Sequence, residues 1–443
     1  MEESTQNNAR TRFGVAMVLL VMTLAAGVLV TPDVVRSGLR YGAYYFGLAA
    51  LAGFLIYAGV ILGRSVLCFR ALSTWIPVFW LALGGWLLFA HADFGFKIAM
   101  DDYVLASTAE NLHRDRQLVV TRTLVSYGDT NLPGDTYVDK RPWLYPFLVS
   151  VLHDWTGFRV ENSFILNAAL GLGLLGTAYW LGARFAGWRG GGLSVLLWVS
   201  VPLLAQNATG GGMELLGTFL VGLVLVFSVR YLEEPSRLNE GALSMAAVLL
   251  ANARYESGLF LIGVLAVIGL GWWRRRAVGL SWASVCAAPL LLTVLWQLRL
   301  YAGDSRAWEL TGGNETALSA SYLEDNLPHA LNFFFSFDDS LANSLLLSVA
   351  GTIGCLSFLF LLRTELKRYW REKPVGVITG IFLPVFIMHL ALMISFHAGR
   401  LDSPFVSRYA LVTHFLLVLV VVAMMEYIGP RWRRLWPVAL TIT

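Results

Sequence analysis

The chain has 443 residues, of which 57% are hydrophobic and only 14% are charged. Soluble domains carry about a quarter charged residues, so this composition excludes an ordinary soluble protein and predicts a polytopic membrane protein. The formal net charge is +4. The lysines and arginines fall mainly in short loops between apolar stretches, which is typical of membrane topology and argues against nucleic acid as a partner.

Apolar stretches that can cross the bilayer as helices recur along the whole chain. A helix needs about 20 apolar residues to span the hydrocarbon core. The stretches that meet or approach this length lie near 13–31, 43–63, 74–91, 161–186, 191–206, 212–231, 240–253, 255–273, 279–301, 343–363, 375–397 and 406–428. The sequence therefore predicts an all-α polytopic bundle of about 12 spans.

The basic residues of alternate loops define the orientation of this bundle. They are Arg10, Arg12, Arg64, Arg70, Arg184, Arg189, Arg230, Arg237, Arg274, Arg275, Arg276, Lys367, Arg368, Arg371, Lys373, Arg431, Arg433 and Arg434. Basic loops favour the cytoplasmic side, so the long loops 92–160 and 302–342 should face away from the cytoplasm. We expect an integral protein of the bacterial inner membrane whose site faces the periplasm or exterior.

The predicted spans divide into a main membrane domain and an N-terminal addition. Residues 1–72 are predicted to form a transmembrane hairpin that is peripheral to the main membrane domain. Residues 73–443 are predicted to form the main transmembrane domain, which includes both long loops. We expect no C-terminal soluble domain, because no long polar segment follows the last predicted span.

A doubled carboxylate, Asp101-Asp102, opens the first long loop and begins a helical stretch. Leu105, Ala109 and Leu112 recur at helical spacing, so this stretch can lie flat at the membrane interface. Two adjacent acids at that surface suit a general base or a ligand for a divalent cation. The ordinary alternative is a pair that caps the start of a helix.

A basic pair, Lys140-Arg141, closes the same loop just before Pro142. Lys140 beside a proline-fixed turn is typical of a placed phosphate ligand. Arg141 could serve the same phosphate, or it could reach out to lipid headgroups as interfacial arginines commonly do.

Two further arginines stand at the borders of predicted spans. Arg254 lies between two apolar stretches with almost no loop, and a charge there is costly unless it is paired or faces a cavity. The alternative is a surface pair with Glu256. Arg408 and Tyr409 enter the last apolar stretch, where Arg408 could also be an ordinary loop arginine that reaches the interface.

Three more polar side chains are candidates for the lining of a cavity. Glu214 follows a run of glycines, Glu256 follows Arg254 closely, and His397 precedes the last polar cluster. The loop 302–342 mixes acids and aromatic residues, which predicts an interfacial helix that caps the cavity.

Several motifs stand in an order that resembles a known family. They are the acid pair after a membrane helix, Ala109-Glu110-Asn111-Leu112, the turn Lys140-Arg141-Pro142, Trp155-Thr156-Gly157, Leu181-Gly182-Ala183-Arg184 and Ser407-Arg408-Tyr409. This order resembles GT-C glycosyltransferases, in particular the branch of protein O-mannosyltransferases and lipid A aminoarabinose transferases. The resemblance covers roughly 92–275 and the motif at 407–409.

The resemblance implies a GT-C bundle with interfacial helices in the first outer loop. It implies an enzyme that takes a sugar from a polyprenyl-phosphate donor outside the cytoplasm. Asp101 would be the catalytic base with Asp102 in the second acidic place. Lys140 would contact the donor phosphate, while Arg254 and Arg408 match arginines that precede helices in the family.

The chain also departs from the family pattern. Pro142-Trp143 stands where paired prolines are usual, and two extra spans precede the core. The acceptor therefore stays open between a lipid, a glycan and a protein.

The expected chemistry is coherent on the residues alone. Transfer from a lipid phosphate builds negative charge on the departing phosphate, which lysine and arginine stabilise well in a water-poor cleft. An aspartate can accept the proton of the attacking hydroxyl, and direct displacement would invert the anomeric centre. No cofactor is predicted, apart from the divalent cation left open above. A lipid-linked polysaccharide polymerase or ligase and a transporter or flippase are the alternatives, and the second is disfavoured because no internal repeat is visible.

Overall fold

The structure is a computed structural model. It describes residues 2–66, 75–127, 130–301, 308, 310, 316–372 and 374–428. The predicted domain boundary at 72–73, part of the predicted loop 302–342 and residues 429–443 lie outside the described residues.

Helices make up most of the described chain, as the apolar stretches predict. In chain order they are α1 (Glu2–Leu29), α2 (Pro32–Val66), α3 (Trp75–Phe89), α4 (Ala99–Asp115), α5 (Leu144–Thr156), α6 (Glu161–Val199), α7 (Pro202–Ala208), α8 (Glu214–Glu233), α9 (Arg237–Ala253), α10 (Phe260–Arg275), α11 (Trp282–Leu290), α12 (Leu292–Tyr301), α13 (Tyr322–Phe335), α14 (Leu345–Glu372), α15 (Pro374–Ile394) and α16 (Leu411–Ile428). Short 3₁₀ turns, Glu256–Leu259 and Ser407–Ala410, lead directly into α10 and α16. The prediction of an all-α membrane bundle is confirmed.

The predicted number of spans is not confirmed. Eight stretches among the described residues are long and apolar enough to cross a membrane. They are Arg10–Leu29, Pro32–Gly63, Glu161–Val199, Glu214–Glu233, Glu256–Arg275, Trp282–Tyr301, Pro374–Ile394 and Ser407–Met425. The apolar helices Trp75–Phe89 and Leu345–Phe360 are shorter. The predicted span near 240–253 is helical as part of α9, which has only 17 residues.

Helix α6 contains the predicted span 161–186 and the first part of the predicted span 191–206, which continues into α7. Its backbone leaves helical geometry at Ala186 and at Gly187, where φ is 65°, a conformation that favours glycine. A Cβ atom on Gly190 would lie only 2.4 Å from the carbonyl oxygen of Gly182. Residues eight apart in a straight helix would be about 12 Å apart. The element α6 therefore turns back on itself as a tight helical hairpin.

The centre of the bundle is formed by α8 and α16, which pack against α6. In the most apolar 18-residue segment of each, most residues are buried: 78% in α8 and 83% in the stretch that contains α16. In the corresponding segments of α1 and α2, only 11% and 22% of the residues are buried. These two N-terminal helices pack on α9, α11 and α12. They present the rest of their apolar surface outward, as helices in contact with lipid do.

The first long loop contains small strands that the sequence reading did not predict. Strand β1 (Val120–Thr121) pairs antiparallel with β4 (Thr136–Tyr137), and β2 (Leu124–Tyr127) pairs antiparallel with β3 (Thr130–Pro133). The strands are short and contain β-branched residues, which favour extended backbone. They add a small β-structured element to the otherwise helical fold.

The same loop contains the predicted interfacial helices α4 and α5, which pack side by side. Leu105, Ala109 and Leu112 are buried along one face of α4, as their spacing predicts. In the second long loop α13 is also present, and its Asn326 donates hydrogen bonds of 2.9 Å to the carbonyl oxygens of Ile394 and Phe396. These hydrogen bonds fix α13 to the end of α15 and to the residues just after it.

Candidate active site

Asp101 lies in the first turn of α4 between two guanidinium groups. Its Oδ1 accepts hydrogen bonds from Arg141 Nε at 2.9 Å and from Arg141 Nη2 at 2.6 Å. Its Oδ2 accepts a hydrogen bond from Arg408 Nη2. Burial alone would raise the pKa of Asp101, but the charges of Arg408 and Arg141 outweigh it and hold that pKa below its usual range.

Asp102 has a different environment although it is the next residue. Its side chain is buried, and Oδ2 accepts hydrogen bonds from the backbone N–H groups of Lys97 at 2.9 Å and Ile98 at 3.3 Å. These N–H groups belong to the two residues just before α4, so Asp102 reaches back from the first turn and caps the start of the helix. Burial raises the pKa of Asp102, and the nearby Glu214 adds to this effect. The adjacent acids therefore separate into an ion-paired one and a capping one.

Glu214 joins the two arginines that the sequence analysis placed at span borders. It is the first residue of α8 and is almost fully buried. Its Oε1 accepts a hydrogen bond of 2.9 Å from Arg254 Nη1 and lies 3.2 Å from Arg408 Nε. The second contact is an ion pair without hydrogen-bond geometry, because Arg408 Nε has no hydrogen-bond partner among the described residues. Glu214 Oε2 is also buried without such a partner in this part of the chain.

Arg254 pairs with Glu256, as the alternative of a surface ion pair predicted, but this pair is buried and not on the surface. Arg254 Nε donates to Glu256 Oε1, and only about a tenth of each side chain is exposed. A buried arginine needs this compensation, because taking an unpaired charge out of water is costly. Tyr409 covers the two arginines, with its ring centroid 4.7 Å from Arg254 Cζ and 5.5 Å from Arg408 Cζ.

These contacts form one chain of alternating charges, which we call the ion-pair chain. Its members in order are Asp139, Arg141, Asp101, Arg408, Glu214, Arg254 and Glu256. Each of its arginines contacts a carboxylate on either side. The members come from the starts of α4 and α8, the loop before α5, the end of α9 and the two 3₁₀ turns. The helix ends that carry them therefore meet at one end of the bundle.

Local structure fixes the approach to Glu214. Asn167 of α6 donates hydrogen bonds of 2.8 Å to the carbonyl oxygens of Gly210 and Gly212. A Cβ atom on Gly212 would lie 2.6 Å from Glu214 Oε2 and 3.7 Å from Asp102 Oδ1. A side chain at position 212 would therefore push the Glu214 carboxylate out of its place beside the arginines. The glycine run before Glu214 was the sequence signal for this arrangement.

Lys140 lies beside the ion-pair chain. Its carbonyl oxygen accepts a hydrogen bond from the hydroxyl of Tyr255, and its Nζ is 5.5 Å from the centroid of the Trp308 ring. Trp308 also contacts Phe396, the residue before His397. His397 itself contacts Phe396 through its ring and donates its backbone N–H to Ala317. The structure thus places Lys140 next to Arg141, and His397 on the other side of an aromatic layer.

The structure brings together most of the predicted site residues. Arg254 and Arg408 share Glu214, and Arg408 and Arg141 share Asp101. The sequence reading missed Asp139, although an acid two residues before Arg141 was a usable signal. Asp139 accepts hydrogen bonds from the Arg141 backbone N–H at 2.9 Å and from its Nη1.

A metal site is not apparent in the part of the chain that the structure describes. There, no group of three or more His, Cys, Asp or Glu side chains is placed to hold a metal ion. The buried carboxylates of Asp102 and Glu214 are positioned respectively by backbone N–H groups and by arginines.

Comparison with known proteins identifies the fold. No protein-family model matches the sequence, and no curated protein matches it significantly. ArnT from Cupriavidus metallidurans bound to undecaprenyl phosphate is similar in structure, with a TM-score of 0.53 and 16% identity over 84% of this chain and 64% of ArnT. The structure of the same enzyme in the apo state gives 0.51 and 14% over 84% and 63%.

The chain spans less than two thirds of the length of this neighbour. At such identities the similarity is one of fold. It confirms the architecture that the sequence motifs imply. The chain has the GT-C fold of the lipid A aminoarabinose transferase ArnT.

Proposed function

We propose that this chain is an integral membrane glycosyltransferase that transfers a sugar from a polyprenyl-phosphate donor to an acceptor on the extracytoplasmic side. The observation that carries the proposal is the ion-pair chain, in which a carboxylate, Asp101, lies directly between two arginines at one end of a GT-C bundle. That ArnT was crystallised with undecaprenyl phosphate supports a donor of this class.

The proposed reaction assigns a role to each group. The acceptor hydroxyl attacks the anomeric carbon, and its proton passes to Asp101. The bond between the anomeric carbon and the phosphate oxygen breaks, and its electron pair leaves with the lipid phosphate. Arg408, Arg254 and Lys140 stabilise the growing negative charge of that phosphate. This direct displacement inverts the configuration at the anomeric carbon.

Burial favours these roles on physical grounds. Electrostatic stabilisation is strongest where water is excluded, because the local dielectric constant is low. Arg254 and Arg408 are each about nine-tenths buried. The Tyr409 ring and the Glu214 carboxylate contact both arginines and hold them in place.

The proposed location is a bacterial inner membrane with the site facing the periplasm. The support is the distribution of basic residues over alternate short loops. The acceptor, a lipid, a glycan or a protein, is not specified by this proposal.

The test uses the full chain purified and reconstituted into lipid nanodiscs. A polyprenyl-phosphate sugar labelled in the sugar is added together with an extract of the cell envelope as a source of acceptors. Release of unlabelled polyprenyl phosphate with label in the acceptor fraction supports the proposal. A polymerase or ligase would require an oligosaccharide on the donor, and a transporter would move the intact donor across a vesicle membrane without cleaving it. Activity that survives a chelator would exclude a required divalent cation.

A further inference from the structure

Asp101 cannot accept a proton efficiently in the arrangement that the structure shows. Both of its carboxylate oxygens are occupied, Oδ1 by two N–H groups of Arg141 and Oδ2 by Arg408. Donors that bind the ionised form weaken a carboxylate as a base, because protonation must break those bonds. A base that is needed in the transition state must first lose at least one of them.

The arginines pose the converse problem for an entering phosphate. The ion-pair chain contains four carboxylates and three guanidinium groups. Every guanidinium is therefore in contact with carboxylate oxygens before a donor binds. A phosphate can gain a strong charge-assisted bond only by replacing one of these carboxylates.

The structure indicates which carboxylate can be replaced. Asp101 is the most exposed carboxylate of the ion-pair chain, with 20% of its side chain accessible, against 11% for Asp139, 10% for Glu256 and 3% for Glu214. Arg141 would keep two hydrogen bonds to Asp139, at 2.9 and 3.1 Å, if it lost Asp101.

Arg408 is the arginine best placed for the exchange. Its Nε is buried and has no hydrogen-bond partner among the described residues, although it lies 3.2 Å from Glu214. Its contact with the accessible Asp101 is made through Nη2. A phosphate that replaces Asp101 would restore a full set of acceptors to this guanidinium, since phosphate oxygens accept bidentate bonds from arginine.

We propose that the donor phosphate displaces Asp101 from Arg408, so that donor binding itself releases the catalytic base. Glu214 is a positioning residue in this exchange, because it holds Arg408 and Arg254 together while Asp101 leaves. This inference rests on the proposed function and adds the order in which donor binding and proton transfer take place. The donor binds first, and only then can Asp101 take the proton of the acceptor hydroxyl. The site would thereby avoid activating an acceptor when no donor is bound.

Competition between Asp101 and the phosphate would have an effect on lipid binding that a base without this competition would not have. If Asp101 competes with the phosphate for Arg408, removing its charge should strengthen phosphate binding. Asp101→Asn should bind undecaprenyl phosphate about tenfold more tightly than the wild type, since one charge-assisted hydrogen bond is worth on the order of a factor of ten or more. The matched control is Asp139→Asn, which also removes a carboxylate from Arg141 but none from Arg408. Its affinity should change much less.

The experiment measures binding of undecaprenyl phosphate to the purified full chain in nanodiscs, with turnover measured on the same samples. Tighter binding with lost turnover in Asp101→Asn supports the exchange. Unchanged or weaker binding with lost turnover overturns the exchange and leaves the proposed base intact. Normal turnover in this variant overturns the proposed base, and with it the inference.

A wild-type measurement keeps the inference testable if the variant does not fold. In an infrared difference spectrum with ¹³C-labelled aspartate, adding undecaprenyl phosphate should shift one carboxylate band as Asp101 loses its guanidinium partner. A spectrum with no aspartate change at saturating lipid would contradict the exchange.

Discussion

The sharpest test of the candidate site compares the two adjacent acids. Asp101→Asn keeps the shape of the side chain and removes its charge and its proton acceptor. Loss of a general base typically lowers the rate about 10²–10⁴-fold. We therefore expect turnover to fall at least about a hundredfold in this variant.

Asp102→Asn should do less harm because of its contacts. The backbone N–H groups of Lys97 and Ile98 need only an oxygen acceptor, which the amide of asparagine retains. Exchanging one acceptor for a weaker one costs about 1 kcal/mol, which corresponds to about a fivefold effect at most.

Both variants should fold. Without the Asp101 charge, Arg141 keeps Asp139 and Arg408 keeps Glu214, so no arginine of the ion-pair chain is left without a carboxylate. The loss of charged hydrogen bonds should cost about 1.5–3 kcal/mol, which a melting curve in detergent can detect.

The assay measures turnover of a labelled polyprenyl-phosphate sugar and the melting temperature on the same purified variants. The matched control is Asp154→Asn, which removes a carboxylate that pairs with Arg116 at 2.8 Å outside the ion-pair chain. This control should lose stability and keep turnover. Equal loss of turnover in Asp101→Asn and Asp102→Asn would refute the division of roles drawn from their contacts.

Three further predictions concern other parts of the molecule. A cysteine replacing Thr130 should react with a membrane-impermeant reagent in intact cells, or in spheroplasts if an outer membrane is present. Reaction only after lysis would show that the predicted orientation is wrong. Gly190→Val should prevent folding, because its Cβ would lie 2.4 Å from a backbone carbonyl oxygen, whereas Gly176→Ala, which meets nothing within 4 Å, should be tolerated; the yield of monodisperse protein measures both. Glu214→Gln should weaken donor binding and lower the melting temperature, because it removes a charge shared by two buried arginines. The control is Glu233→Gln, which removes a partly exposed carboxylate that pairs with Arg184 at 3.1 Å. An equal loss of binding and stability in this control would refute the prediction.

Much of the fold could be predicted because the bilayer imposes a length and a polarity on each helix. The apolar stretches follow from that constraint. The burial of Leu105, Ala109 and Leu112 on α4 follows from their helical spacing. The count of spans could not be predicted as well, since length alone does not show where a helix breaks. In α6 the break falls at Ala186 and Gly187.

The sequence alone could not predict which charged residues pair with each other. Each charged member of the site except Asp139 was a candidate, but Asp101 and Arg408 are 307 positions apart. Nothing local indicates that they touch. The same limit applies to Asp102, because the sequence shows two equivalent acids. Only the packed structure shows that one faces backbone N–H groups and the other faces arginines.

The burial of the site explains why each of its arginines forms ion pairs with carboxylates. A buried arginine without a partner would cost several kcal/mol, more than a marginally stable fold can absorb. The sequence therefore has to supply Glu214, Glu256, Asp139 and Asp101 before any donor arrives. If the site binds a donor phosphate as proposed, that phosphate would enter by exchange with a carboxylate and not by simple addition. The most exposed of these carboxylates, Asp101, is also the one proposed to accept the proton, so charge compensation and catalysis fall on the same side chain.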